Sequence, residues 1–196
     1  MGCFMFNLDL FEDKENPFPV LPSVNFGLRD FVCIKDYKYS NLQAGIHFFT
    51  DDKNFENFWS RPRYWLHELQ EHKYLVMPDF SIYYDMPFPL QVYNKYRSHW
   101  LAAYFSAHGF TVLPNVNLGT PDLFSITSLG FPLGSDLAFS SIGSLASNYE
   151  KSVLHQQYSY IQEHMKPTRL FYFAPSITQI PHDDNVIPVI RGECIG

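Results

Sequence analysis

Seven short runs of apolar, β-branched and aromatic residues punctuate the chain from residue 31 onward. They are FVCIK (31–35), GIHFF (45–49), YLVMP (74–78), TVLPNV (111–116), DLAFS (136–140), RLFYFA (169–174) and VIPVI (186–190). Each is five or six residues long and flanked by turn formers, which predicts a buried strand. Between them, residues 54–72, 88–108, 121–129 and 146–165 carry helical spacing. Gly109 falls where a left-handed cap would end the second helix, and Pro167 lies just past the fourth.

Strands alternating with helices predict parallel pairing through right-handed crossovers. The expected class is therefore α/β, with parallel strands in a small or incomplete (β/α) barrel. The alternative is an open doubly wound sheet. Polar residues recur just after the strands, which favours the barrel. In either architecture a ligand binds at the carboxyl ends of the strands. Residues 1–30 read differently: Asn16-Pro17, Pro19, Pro22 and Gly27 break any regular element. They predict an extended arm whose Phe4, Phe6, Phe11, Phe18 and Phe26 bury against a single domain of residues 31–196.

The strand ends hold the candidate chemistry. The second run leads into Thr50-Asp51-Asp52, and the third into Pro78-Asp79-Phe80-Ser81 and then Asp85-Met86-Pro87. The fourth supplies Asn115 and Asn117, and the fifth Ser140, Ser141 and Gly143. Asp79 directly follows an apolar strand, so partial burial should raise its pKa or demand a partner. Either makes it a candidate acid, base or ligand-orienting group; the plainer alternative is a turn-forming Asp. Asp85 reads first as a helix cap and second as a further carboxylate. Asp52 could cap the helix that follows, which leaves Asp51 the freer acid. Asp51, Asp79 and Asp85 together could hold magnesium.

On the helix at 88–108, Tyr93, Tyr96, Trp100, Tyr104 and Ala107 form an apolar stripe, with Gln91, Asn94 and Ser98 on the other side. Arg97 falls inside the apolar arc. An arginine there must pair, stack or snorkel, and Asp79 or Asp85 is the expected partner. The bland outcome is a structural ion pair; the sharper one is an arginine holding an anion at the rim. Arg97, Asn94, Gln91, Ser81, Asn115 and Ser140 are the candidate ligand-binding residues.

Composition narrows the class of protein. The 196 residues are 46% hydrophobic, 18% aromatic and 17% charged, which excludes an intrinsically disordered chain. The net charge of -6 excludes a broad basic field for duplex binding, though a local groove remains open. Cys3, Cys33 and Cys194 form no C-x-x-C pair, so neither a disulfide framework nor a cysteine zinc site is expected. Reduced cytosol is the expected setting. The first residues carry acids and no basic stretch, unlike a secretory signal. Gly2 begins a myristoylation-like start, but Phe6 stands where Ser or Thr is needed. No apolar run is long enough to span a bilayer.

Several motifs fail on spacing. His67 and His72 are five apart, whereas a zinc-protease helix needs four. His47 lies inside a strand and reads as a core residue. Gly130–Asp136 lacks the lysine of a P-loop, and no G-x-G-x-x-G or G-x-S-x-G follows a strand.

Four motifs in fixed order carry a family resemblance. They are H-F-F-x-D-D-x-x-F-E-x-x-W (His47–Trp59), P-D-F-S-x-Y-x-D-M-P (Pro78–Pro87), Q-x-x-N-x-Y-R (Gln91–Arg97) and G-x-x-V-x-P-N-V (Gly109–Val116). The chain resembles the bacterial and phage family known as domain of unknown function 4417. The similarity covers about two thirds of the chain. It implies phage, prophage or mobile-element origin and action in a bacterial cytoplasm, with no activity to carry over. Two positions depart from the family pattern. Leu118 stands where V-x-W-G would place Trp, and Ser140-Ser141-Ile142-Gly143 replaces Ser-Thr-x-Gly. If that Trp lined a base-stacking pocket, Leu118 would weaken it.

Three readings follow. The first is an enzyme acting on a nucleotide or nucleic acid by glycosidic or phosphodiester chemistry, with Asp79 as acid or base. The second is a non-catalytic binder of the same ligands at the same rim. The third is a module that binds a host protein through the Phe-rich arm.

Overall fold

The computed structural model describes residues 16–190 and the strand at Glu193–Cys194. The Gly2-Cys3 start and Phe4, Phe6 and Phe11 lie outside the described residues. All seven apolar runs form strands. β1 (Phe31–Cys33), β2 (Gly45–His47), β3 (Tyr74–Val76) and β4 (Thr111–Leu113) pair in parallel, in chain order. So do β5 (Asp136–Ser140), β6 (Arg169–Ala174) and β7 (Val186–Ile190). A short antiparallel β8 (Glu193–Cys194), not foreseen from sequence, closes the chain's last pairing.

One bridge, Asn115 to Ala138, joins the two groups of strands. There Val116 N–H donates to Ala138 O and Ala138 N–H to Pro114 O, both at 2.8 Å. The class is thus α/β with parallel strands and helical crossovers, as expected. The sheet also curls. Phe31, Val76, Leu113, Ala138, Phe171, Phe173 and Val189, from six different strands, share one inner cluster. The rings of Phe31 and Phe173 lie 4.9 Å apart although β1 and β6 are far apart in strand order. Alternate residues such as Leu170 and Tyr172 point outward into a second cluster with the helices, because side chains alternate across a strand. Pairing between β1 and β7 is not found among the described residues.

Residues 18–26 cross the amino-terminal ends of these strands. Val24 exchanges hydrogen bonds with Ser135, and Phe26 N–H donates to the Asp136 carboxylate at 2.7 Å. The fully buried Phe26 ring packs on Phe31, Tyr74 and Phe171. That end of the sheet is therefore plugged, and the carboxyl ends form the open rim. Gly130 supports the crossing: its φ is +81°, and a Cβ would lie 2.8 Å from Pro19 O. Gly130→Ala should cost about 2 kcal/mol, because the left-handed backbone and the contact both penalise it. Urea denaturation with an unchanged slope would check this.

Two helices differ from expectation. Residues 54–72 do not form one helix but two, α1 (Glu56–Ser60) and α2 (Pro62–Glu68). Pro62 excludes helical backbone at Arg61, whose φ and ψ are -139° and 54°, and itself opens α2 at a first-turn position. The next helix, α3 (Phe88–Ala107), forms as predicted, with Gly109 at φ +85° just beyond it. Its inward face is rotated, however. Tyr93 is exposed, whereas Gln91, Asn94, Lys95, Ser98 and His99 are buried. The first turns of α3 lie behind loops rather than sheet, so amides there satisfy carbonyls: Gln91 donates to Met86 O and Asn94 to Ser81 O, each at 2.7 Å. Two further helices, α4 (Phe124–Thr127) and α5 (Asn148–Tyr160), complete the order. A capping box between Ser147 and Glu150 starts α5.

Candidate functional site

A pocket of about 400 Å³ opens at the carboxyl ends of the strands. Asp79, Ser81, Asn117 and Thr50 line its floor, and Lys35, Asp51 and Asn54 line one side. The residues after β5 and the start of α5 supply the facing wall: Ser144, Tyr149, Glu150 and Gln157. Tyr83, Tyr84 and Tyr149 also line it, each more than half exposed, and Tyr84 and Tyr149 meet edge to face at 5.2 Å.

Asp79 is the centre of this arrangement. β3 ends in Val76, and Met77 N–H still reaches Leu113 O at 2.9 Å, so the chain carries Asp79 straight off the sheet. Its Oδ1 accepts from the Asn115 amide at 2.9 Å and the Asn117 amide at 3.2 Å. Burial pushes the carboxyl up to about 6, and the neighbouring Asp52 adds to this; the Asn117 and Asn115 hydrogen bonds and the charge of Lys95 pull the other way. Desolvation wins, which leaves a carboxyl that exchanges its proton near neutrality. Beside it, a recess of about 30 Å³ is lined by Asn115, Ser140 and Ser144 among others. Asn115 Oδ1 is buried with no hydrogen-bond partner among the described residues.

The support of Asp79 is polar throughout. Asp52 does not cap a helix; its carboxylate receives Ser81 N–H at 3.2 Å and Ser81 Oγ–H at 2.8 Å. Ser81 O in turn accepts from Asn94. Lys95, absent from the sequence-based candidates, is buried and donates to Asn117 O at 2.8 Å. Gln157, on α5, accepts from Leu118 N–H and donates to Gly119 O, which fixes the loop that carries Asn117.

A family model described as "Domain of unknown function (DUF4417)" matches residues 18–190. The chain belongs to the DUF4417 family. Among curated proteins it is similar to the Gene 1 protein of Mycobacterium phage L5, 34% identical over 158 residues, or 80% of this chain and 67% of the relative. It is also 34% identical over 138 residues to the Gene 1 protein of Mycobacterium phage D29, covering 70% of this chain and 51% of that relative. The chain thus spans about half to two thirds of the length of these phage proteins. No solved structure matches.

Four segments singled out in the sequence, His47–Trp59, Pro78–Pro87, Gln91–Arg97 and Gly109–Val116, meet around Asp79. They supply Asp52, Asp79 with Ser81, Asn94, and Asn115 respectively. Leu118 is fully buried, its N–H and C=O both held by neighbouring side chains, so it packs rather than faces a ligand.

Other candidates take different places. Asp51 lines the pocket, exposed and paired with Lys53 at 3.1 Å. Asp85 is exposed and outside the lining, and Pro87 is the N-cap of α3, so Asp85 is not its cap. Arg97 does not pair with Asp79 or Asp85. Its guanidinium meets Glu56 at 2.6 Å, donates to Asn94 Oδ1 at 2.8 Å and lies 3.7 Å above the Phe80 ring. It stands behind the pocket rather than in its lining, because the rotated face of α3 turns it toward α1. Gln91 and Asn94 likewise hold loops from behind. Asn115 and Ser140 face the small recess, and Ser140 Oγ accepts Ile142 N–H. Asp51, Asp79 and Asp85 are not brought together as magnesium ligands, and no cluster of three or more such groups occurs among the described residues. His47 is buried against Phe49 and Phe173, as a core histidine should be. No described helix is long and apolar enough to cross a membrane.

Proposed function

We propose that this protein acts on a nucleoside-type ligand at the rim pocket, with Asp79 as the acid–base group of a glycosidic cleavage. The observation that carries the reading is a carboxyl titrating near neutrality on the floor of a pocket with aromatic side chains at its mouth. A planar base stacks on Tyr83, Tyr84 or Tyr149, since every base presents a π-face to an aromatic ring. Ser81, Thr50 and Asn117 then offer hydrogen bonds to sugar hydroxyls. Asp79 in its protonated form donates to the departing base, which leaves as the neutral ring as the sugar–base bond breaks; a water molecule adds to the sugar carbon and gives up its proton to a carboxylate of the lining, so that free base and free sugar are the products. Asp51 gives the lining a second carboxylate, as bond cleavage at a sugar carbon usually employs.

Phosphodiester chemistry fits less well. Among the lining residues Lys35 faces three acids, Asp51, Asp79 and Glu150, and Arg97 is engaged elsewhere. The phage setting of the relatives accords with a nucleic-acid precursor or product as ligand.

The test is incubation with a panel of ribo- and deoxyribonucleosides, nucleotides and short oligonucleotides, followed by chromatography for free base. Release by the native protein that is lost in Asp79→Asn supports the reading. Saturable binding with the ligand recovered intact replaces it with stoichiometric capture at the same pocket. A Tyr84→Ala, Tyr149→Ala double variant should weaken binding by about 10-fold or more, since stacking contributes about 1–3 kcal/mol per base. Isothermal titration would measure it.

A further inference from the structure

Lys95 has no role in the mechanism above, yet its position is costly. It lies on the inward face of α3 with 2% of its surface exposed. Its ammonium donates to Asn117 O at 2.8 Å and sits 4.4 Å from the centre of the Phe131 ring. A lysine needs only its length to fill such a space, and methionine would fill it without desolvating a charge. Something other than packing therefore selects the amine.

The residue it holds is informative. Asn117 accepts from Lys95 through its backbone carbonyl and donates to Asp79 Oδ1 through its side-chain amide at 3.2 Å. One residue thus links the amine to the acid. Asp52 and Lys95 are the charged groups that act on Asp79, and Asp79 is the one that acts on Lys95. His99, one turn further along α3, is itself buried, with Nδ1 at 3.2 Å from Pro19 O, and burial holds it neutral. Asp79 is thus the charge that the amine senses, and Asn117 is the residue that joins them.

We propose that Lys95 is a positioning residue for Asp79: it fixes Asn117 in place and, by its charge, sets the protonation state of the carboxyl at the pocket floor. This rests on the reading of Asp79 as the working acid for its meaning, but not for its test. The two groups are pushed toward each other, Asp79 up to about 6 and Lys95 down to about 7, chiefly by burial. Between those values both are charged. Below them the proton load rises on Asp79, and above them it leaves Lys95. The pair so holds a full set of charge states within a narrow span around neutrality, and a ligand that prefers one state shifts the other group with it.

The experiment is a carbon-detected NMR titration of the Asp79 carboxyl and the Lys95 Cε in the full-length protein. Lys95→Met should raise the Asp79 midpoint by about one unit, since it removes a nearby positive charge. Reciprocally, Asp79→Asn should lower the Lys95 midpoint by a similar amount. The second variant is nearly isosteric and keeps the comparison open if Lys95→Met fails to fold. An Asp79 midpoint unchanged in folded Lys95→Met, or a Lys95 midpoint unchanged in Asp79→Asn, would overturn the proposal and leave Lys95 a loop support. Failure to find a nucleoside substrate would leave both midpoints as they are, so the two readings fail separately.

Discussion

Asp79→Asn is expected to reduce base release by about 10²–10⁴-fold, the usual contribution of a positioned acid or base. Asparagine keeps the size of the side chain and can still accept from the Asn115 and Asn117 amides, so ligand binding should change little. The stability of the variant provides an independent check with a defined sign. Burial raises the folded-state value of Asp79 from 3.8 to about 6. Folding therefore disfavours the ionised form, and the penalty grows as pH rises from about 4 to about 6, being complete above it. Asparagine carries no such penalty. The variant should melt higher than the native protein at pH 8, and the gap should close toward pH 4. Lys95, held near 7, is largely neutral at pH 8, so no charge is stranded there by the substitution. Parallel melting curves at the two pH values would measure this; a variant less stable than the native protein at pH 8 would contradict the assigned burial of the carboxylate.

The second large effect lies at the opposite end of the strands. Asp136 is 2% exposed and opens β5. It accepts Phe26 N–H at 2.7 Å and Arg169 Nε–H at 3.0 Å. Asp136→Ala strips both donors of their acceptor and leaves Asn25 Oδ1 as the remaining partner of the guanidinium. Leaving the buried Phe26 N–H without its acceptor costs about 1–3 kcal/mol, and the partly exposed guanidinium adds to that less than a fully buried charge would. The double variant Asp136→Ala, Arg169→Ala should lose less than the sum of the two single changes, because the stranded charge is then gone. Denaturant unfolding of the four proteins would give the coupling. Additive losses would mean that the pair does not fasten the arm to the sheet.

Much of this arrangement was legible in the sequence. Seven apolar runs became seven strands, because short buried strands need continuous apolar character and turns at each end. Asp79 was identifiable because a carboxylate immediately after such a run must leave the sheet at its carboxyl end. Arg97 was read onto the wrong partner. Its position on α3 was inferred from a tyrosine stripe, yet tyrosine is content half in water, and the first turns of α3 turn polar residues inward as well, Gln91, Asn94, Lys95 and Ser98. Periodicity reports which residues are apolar, not which face meets a loop rich in carbonyls. Lys95 could have been noticed from the four-residue spacing of Gln91, Lys95 and His99, three polar groups on one line of a helix. Tyr149 offered no signal, since it reaches the pocket from α5, some 66 residues after Tyr83 in the chain.

The sheet is held together at its middle by one bridge, and Asn115 belongs both to that bridge and to the grip on Asp79. The seam between the two groups of strands therefore runs beneath Asp79. The walls of the pocket stand on opposite sides of the seam, Asp51 and Ser81 on one bank, Ser144 and Glu150 on the other. A bound molecule that touches both banks acts as a clasp. It would resist the opening of the sheet there and, in doing so, steady the Asp79 carboxyl.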